Sequence, residues 1–469
     1  MKDKSFNLEF VIFELPFEIL LNKNTQNIKE RRHASCGSMV INMEIYVVQQ
    51  GDSIFSIAQK FGVSEQSILI NNGIVFPDKL VPGQSILILI PEILYIVNQG
   101  DTLYSIAQKY GTTEISIIQN NPVLAGNSNI SIGQVLVIKY TDENKVNKYT
   151  CGFAYPSIDL NILEMSLPYL TYVIIFEYGF NSDGSIIIPE DSEIRALALK
   201  YKTAVLLSLT TIDINGTFST EKTKQLLDDK ELQTTVLLNM LDVVKQKNAA
   251  GIDIDFEFVP PDMREQYVSF IELAANIMND AGFIVNTDLA PKTSATQKGT
   301  LYEAHDYSAI GAVVNTVFLM TYEWGYTFSS PQAVAPINKV QLVVNYALTE
   351  IYPGKMYLGI PNYAYDWPLP YEKGVTMATT IGNVTAVERA QEFGVPIMFD
   401  ETAQTPHYNY TAEDGVVHEV WFEDARSINA KLDLIVRENM LGAGYWNLMR
   451  PFPANWMLLN YYFNIAKLI

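Results

Sequence analysis

The run Gly251-Ile252-Asp253-Ile254-Asp255-Phe256-Glu257-Phe258 concentrates the groups in this chain most able to do chemistry. Apolar and acidic residues alternate with a period of two, the period at which side chains of an extended strand share a face. Asp253, Asp255 and Glu257 then point one way, about 6.5–7 Å apart along the backbone. Ile252, Ile254, Phe256 and Phe258 point the other way, into a core. Three carboxyls gathered in an interior lose hydration and repel one another, so stability alone does not account for them. Two chemistries use such a cluster. One is a hard-cation site, to which carboxylate oxygens are suited. The other is glycoside hydrolysis, where a carboxylic acid of raised pKa protonates the leaving oxygen. In that case crowding by Asp255 would keep Glu257 protonated near neutrality.

Such a strand needs a scaffold that buries its apolar face and gathers its acids. Strand-like runs recur at Tyr149–Tyr155, Tyr172–Tyr178, Ala204–Leu209, Gly251–Phe258, Ile284–Leu289, Val317–Tyr322, Met356–Ile360 and Gly444–Leu448. Helical stretches lie between most of them, as at Glu221–Lys247, Arg264–Ala281, Pro331–Ile351 and Glu423–Met440. Eight such units over residues 147–469 predict an α/β fold, a (β/α)8 TIM barrel, in preference to a doubly wound open sheet. The chemistry then belongs at the C-terminal ends of the strands. Strands 7 and 8 are too far apart for one helix, so a small α+β insertion is expected at about 368–423, walling one side of the cleft.

Composition narrows the function classes. Of 469 residues, 48% are hydrophobic and 18% charged, which suits a globular core. The net charge of −20 repels phosphate backbones and argues against a nucleic-acid partner. The two cysteines, Cys36 and Cys151, cannot make a four-thiolate zinc site. The histidines His33, His305, His407 and His418 form no HExxH motif, and neither a GxSxG elbow nor a phosphate loop is present. No cofactor and no resident metal is expected. No apolar run approaches the roughly 18 residues of a membrane span, and a monomer off the membrane is expected. Residues 1–43 form an N-terminal extension of unknown role. Glu9, Glu14, Pro16 and Glu18 interrupt its apolar run, so no cleavable signal peptide is evident, and Met43 could be the natural start.

Two stretches repeat at an offset of 49, YVVQQGDSIFSIAQKFGVS from Tyr46 and YIVNQGDTLYSIAQKYGTT from Tyr95. In each, a short strand meets a Gly-Asp turn and then a helix with Asp52 or Ser53 as N-cap. Ile54, Ile57, Ala58 and Phe61 make one helical stripe, repeated by Leu103, Ile106, Ala107 and Tyr110. Gly62 and Gly111 stop the helices. The units, βααβ over 44–91 and 93–140, closely resemble LysM modules. The resemblance implies binding to glycans that contain N-acetylglucosamine, in peptidoglycan or chitin. It places the sugar at Gly51, Asp52, Ser53 and Ile54 with Leu80–Gly83, and at Gly100, Asp101, Thr102 and Leu103 with Ser131–Gly133. Two tandem copies should hold a polymer more tightly than one.

The acidic strand resembles the DxxDxDxE signature of glycoside hydrolase family 18. Met320-Thr321-Tyr322-Glu323 looks like that family's MxYD, Gly444-Tyr445-Trp446 resembles its strand eight, and Leu289-Ala290-Pro291-Lys292 fits its strand-five end. Joined to LysM modules, the chain resembles the spore cortex-lytic N-acetylglucosaminidases of spore-forming bacteria. That implies a retaining, substrate-assisted hydrolase cleaving after N-acetylglucosamine, placed in the spore coat or cortex or in the cell wall. By resemblance, Glu257 is the acid and base, Asp255 orients the substrate's acetamido group, Asp253 supports Asp255, Tyr322 bonds the acetamido oxygen and Trp446 floors the sugar. Glu323, Trp324, Tyr365, Asp366 and Trp367 follow strand ends and are expected along the cleft. Two departures stand out: Ala250 replaces the first aspartate of the signature, and Glu323 replaces an aspartate. A chitinase-like hydrolase, a non-catalytic glycan-binding wall protein and a metal-dependent hydrolase are the alternatives.

Overall fold

The computed structural model describes residues 43–125, 128–140, 145–213 and 216–469. The N-terminal extension lies outside the described residues, apart from Met43, which opens the first strand. In the first module β1 (Met43–Val47) pairs antiparallel with β2 (Ser85–Leu89), and α1 (Ile54–Phe61) and α2 (Glu65–Asn72) lie between them in sequence. The second module repeats this with β3 (Pro91–Ile96), α3 (Leu103–Tyr110), α4 (Glu114–Asn120) and β4 (Val135–Tyr140). Ser53 and Thr102 are the N-caps, each in a capping box with the serine three residues on. Asn72 and Asn121 pin each module's second helix to its closing strand. Asn72 Nδ2 donates to Leu87 O at 2.9 Å, and Asn121 Nδ2 donates to Val137 O at 2.7 Å.

The barrel follows. Its strands are β5 (Val146–Ala154), β6 (Tyr172–Phe180), β7 (Ala204–Thr210), β8 (Gly251–Asp255), β9 (Ile284–Leu289), β10 (Thr316–Leu319) and β11 (Met356–Pro361). The chain then leaves for an antiparallel sheet, β12 (Ala364–Leu369), β13 (Thr379–Ile381), β14 (Met398–Asp400), β15 (Thr405–Thr411) and β16 (Val417–Trp421), before returning as β17 (Gly442–Trp446). The eight barrel strands pair in parallel in chain order, and β17 closes on β5, with Gly444 opposite Cys151. Ile252, Ile254 and Phe256 are fully buried, as their face of β8 demands. Among the described residues, no helix is long and apolar enough to cross a membrane.

Among the boundaries that differ from those expected, three have a physical reason in their surroundings. The acidic strand stops at Asp255; Phe258 has φ +55° and is 44% exposed, so it leaves the core rather than joining it. The helix expected over Glu221–Lys247 is two helices, Thr220–Asp228 and Lys230–Lys247, because Asp229 caps the second by accepting from Glu231 N and Leu232 N. The first strand of the insertion begins at Ala364, ahead of the expected start at about 368. Pro368 sits inside β12, where it is tolerated because β13 pairs only with Ala364–Asp366 and stops short of it.

Candidate active site

Strand register gathers the acids. Asp253 lies between Ser208 of β7 and Asn286 of β9. Ser208 Oγ donates to its Oδ2 at 2.7 Å and Asn286 Nδ2 to its Oδ1 at 2.6 Å. Both oxygens of the deepest carboxyl are therefore served by protein donors. Two residues along β9 from Asn286, Asp288 arrives beside the acidic strand, close enough to hydrogen-bond Asp253. Sequence reasoning missed Asp288, although Asn286 and Asp288 repeat the alternation of β8 on the next strand.

All four carboxyls are pushed up. Burial raises Asp253 to about 6, against the pull of its donors. Asp255 is well above the usual carboxylate range through burial, then the charges of Glu257 and Asp253. Asp288 is likewise raised by burial and by its acidic neighbours. Asp255 Oδ1 and Asp288 Oδ1 are buried and find no protein partner among the described residues. Glu257, two residues beyond the strand, is raised to about 7 by burial first and by the Glu323 carboxylate second. The Glu257 charge in turn lifts Asp255, so these two carboxyls crowd each other, and Glu323 is a further charge beside Glu257. Four buried acids so close together hold protons among them at neutral pH.

The loop after β10 supplies Tyr322 and Glu323. Burial and the surrounding carboxylates keep the Tyr322 phenol protonated far above its ordinary range. Glu323 has φ +66°, a backbone conformation that costs energy outside glycine. Its carboxylate is held by Tyr363 and by Tyr365, whose hydroxyl donates at 3.1 Å. Tyr363 was not anticipated. It opens the insertion, and nothing in its local spacing marks it. Trp446, ending β17, is gripped edge to face by Phe153, Tyr155 and Phe176 at 5.2–6.0 Å between ring centroids.

A cavity of about 430 Å³ is lined by Asp255, Glu257, Asp288, Tyr322, Glu323, Tyr365, Trp446 and, again unanticipated, Asn447 and Arg450. A second, of about 480 Å³, is lined by Glu257, Tyr322, Glu323, Trp324 and Tyr302. Glu257 thus stands where two cavities meet. A carboxylic acid at that junction can reach the oxygen joining one sugar to the next.

Asp366 is not in this cleft. Side chains alternate along β12, so Tyr365 faces Glu323 while Asp366 turns into the insertion. There it pairs with Arg389, accepts from Tyr410 OH at 2.8 Å and meets His418 Nδ1 at 2.7 Å. Trp367 is fully buried and packs on Tyr365, so it does not line the cleft either. Lys292, also buried, donates to His305 O at 2.8 Å and holds the loop after β9.

In the modules, Gly51 and Gly100 have φ +88° and +86°, which the turns require. Asp52 and Asp101 are turn clamps: each accepts from a tyrosine hydroxyl and from the backbone N–H three residues earlier, all at 2.7 Å. The side chains of Ile54 and Leu103 are each 4% exposed and pack inside their modules, which removes them as sugar contacts. Ser53 and Thr102 remain at the surface.

Comparison with known proteins agrees with this geometry. The family model described as glycosyl hydrolases family 18 matches residues 136–450, and that of the LysM domain matches 46–89 and 95–139. The chain is 40% identical over 431 residues to the cortical fragment-lytic enzyme of Bacillus subtilis (strain 168), covering 91% of this chain and 99% of that one. It resembles the crystal structure of the Bacillus megaterium QM B1551 spore cortex-lytic enzyme SleL at 36% identity and TM-score 0.78, covering 91% of this chain and 100% of the other. The Bacillus cereus spore cortex-lytic enzyme SleL aligns similarly, at 36% identity and TM-score 0.77, with the same coverage.

Proposed function

The chain belongs to the glycosyl hydrolases of family 18 and carries two LysM domains, and from that premise we propose that it cuts spore-cortex peptidoglycan after N-acetylglucosamine, by a retaining, substrate-assisted mechanism. The observation that carries this reading is the position of Glu257, poised near pKa 7 at the junction of two cavities, above the stacked Asp255, Asp288 and Asp253.

The chemistry runs as follows. The Glu257 carboxyl gives its proton to the glycosidic oxygen as the bond from that oxygen to the anomeric carbon breaks. The acetamido oxygen of the same sugar attacks the anomeric carbon from the opposite face, forming an oxazolinium ring. Asp255, whose Oδ1 has no protein partner, accepts a hydrogen bond from the acetamido N–H and balances the ring's positive charge. Asp253 and Asp288 share a proton behind it, so Asp255 can carry charge without three full charges meeting. Tyr322 donates to the acetamido oxygen and Trp446 supports the sugar's apolar face. The Glu257 carboxylate then takes a proton from water as its oxygen attacks the anomeric carbon on the face the leaving group vacated; the bond from that carbon to the acetamido oxygen breaks, the acetamide is restored, and configuration is retained.

The protein acts as a monomer on the spore cortex in this reading. Digestion of defined cortex muropeptides with reducing-end mass spectrometry tests it. Products ending in reducing N-acetylglucosamine support it. Products ending in reducing muramic acid mean muramidase action, and turnover of chitin oligomers alone means a chitinase.

A further inference from the structure

The two LysM modules repeat one another in sequence and fold, yet one loop has opposite surroundings in each. The turn into the closing strand is built the same way in both. Gly83 N donates to Val48 O at 2.9 Å and Gln84 N to Val81 O at 3.1 Å; Gly133 N donates to Val97 O at 2.8 Å and Gln134 N to Ser131 O at 3.0 Å. In the first module this turn is seated in the barrel's insertion. Val81 is 4% exposed and joins the apolar cluster of Ala364, Ala390, Ile397 and Phe422. Ile397 N donates to Pro82 O at 2.9 Å and the Arg426 guanidinium to Gly83 O at 3.1 Å. Gln391 Nε2 donates to Gln84 Oε1 at 3.1 Å, and a methyl on Gly83 would stand 1.8 Å from Ile397 O.

In the second module Ser131 and Ile132 take the places of Val81 and Pro82. Ile132 is 71% exposed, and a methyl on Gly133 would meet nothing within 4 Å. This module touches the barrel through a different surface: Gln119 of α4 donates to Pro168 O at 2.8 Å and accepts from Tyr169 OH at 2.8 Å. Among the described residues, a turn that docks on protein in one copy is left open in the other, with an isoleucine at its tip.

We propose that the modules have divided their roles. The first is a buttress, its turn consumed in holding the insertion that carries Tyr363 and Tyr365 against Glu323. The second alone holds the N-acetylglucosamine-containing glycan, on the face made by Gly100–Thr102 and Ser131–Gly133. This rests on the reading of the modules as glycan binders. The expected avidity then arises between the second module and the cleft on one glycan strand, not between two modules.

Hydrogen–deuterium exchange on the full-length Glu257→Gln protein, with and without saturating N-acetylglucosamine hexamer, tests the division. Glycan should slow exchange over residues 98–104 and 128–135 and leave 48–54 and 79–84 unchanged. Ile132→Lys should abolish the slowing at the second module and weaken retention on cortex about tenfold. Val81→Asp should lower Tm and speed exchange in the insertion while glycan still protects the second module. Glycan-dependent slowing over 48–54 and 79–84 would overturn the division. Slowing in the barrel cleft with none in either module would instead overturn the modules' assignment as glycan binders.

Discussion

Glu323 stands beside Glu257: the two carboxyls line both cavities together, and, after burial, the Glu323 charge helps raise Glu257 to about 7. Glu323 is itself placed by two tyrosines from the insertion, at a backbone angle of φ +66°. The departure from the family's aspartate at this position keeps a carboxyl beside Glu257. The insertion does more than wall the cleft: its tyrosines hold the Glu323 carboxyl beside the residue proposed as proton donor.

The pH profile follows. The kcat/KM of the protein should fall as pH rises through about 7, where Glu257 loses its proton. Glu323→Gln removes a negative charge beside Glu257, favours its ionised form, and should move this alkaline limb to lower pH. An unmoved limb would separate the two residues.

Asp288 should matter although it lies outside the acidic strand. Asp288→Asn removes the charge of a buried carboxyl beside Asp253 and Asp255. We expect kcat to fall roughly 10²-fold with KM little changed, as for a group whose support is needed most in the transition state. Steady-state kinetics on muropeptides would show the split.

The buried acids should cost stability at high pH. Glu257 and Asp253 titrate at about 7 and about 6 in the fold, against the ordinary carboxylate range near 4 in the unfolded chain. The native state holds more protons, so their contribution is full below pH 4 and is lost as pH rises through 6 and 7. The drop in Tm between pH 5 and pH 8 should be smaller in Glu257→Gln than in the parent protein. An equal drop would contradict the raised pKa.

Asp366 should behave as a structural residue. Asp366→Ala leaves Arg389 and His418 without their partner and should cost about 3 kcal/mol of stability, of the size seen when one member of a buried pair is removed. At temperatures where the variant stays folded, turnover should persist. Loss of turnover with unchanged Tm would return Asp366 to the cleft.

Much of this was legible in the sequence because it is written in short periods. The alternation from Gly251 to Glu257 exposed the acidic face, eight strand–helix units gave the barrel, and the offset of 49 gave the modules. What escaped depended on contacts distant in sequence. Asp288 matters only because β9 lies in register beside β8, and Tyr363 only because the insertion folds back over Glu323. Ile54 and Leu103 follow a turn that resemblance marks for sugar, yet their place on the helical stripe sends them inward. Asp366 followed a strand end by position but faced away by alternation. The seating of Val81 in the insertion, across more than 280 residues of chain, has no local signature at all.

In the proposed mechanism Glu257 supplies the proton that breaks the linkage. Turnover and binding of cortex muropeptides, measured side by side for the parent protein and Glu257→Gln, test it most directly. The expected result is a loss in kcat of about 10²–10⁴-fold with muropeptide binding preserved. Full turnover by Glu257→Gln, or activity abolished by chelation and restored by a divalent metal, would contradict it.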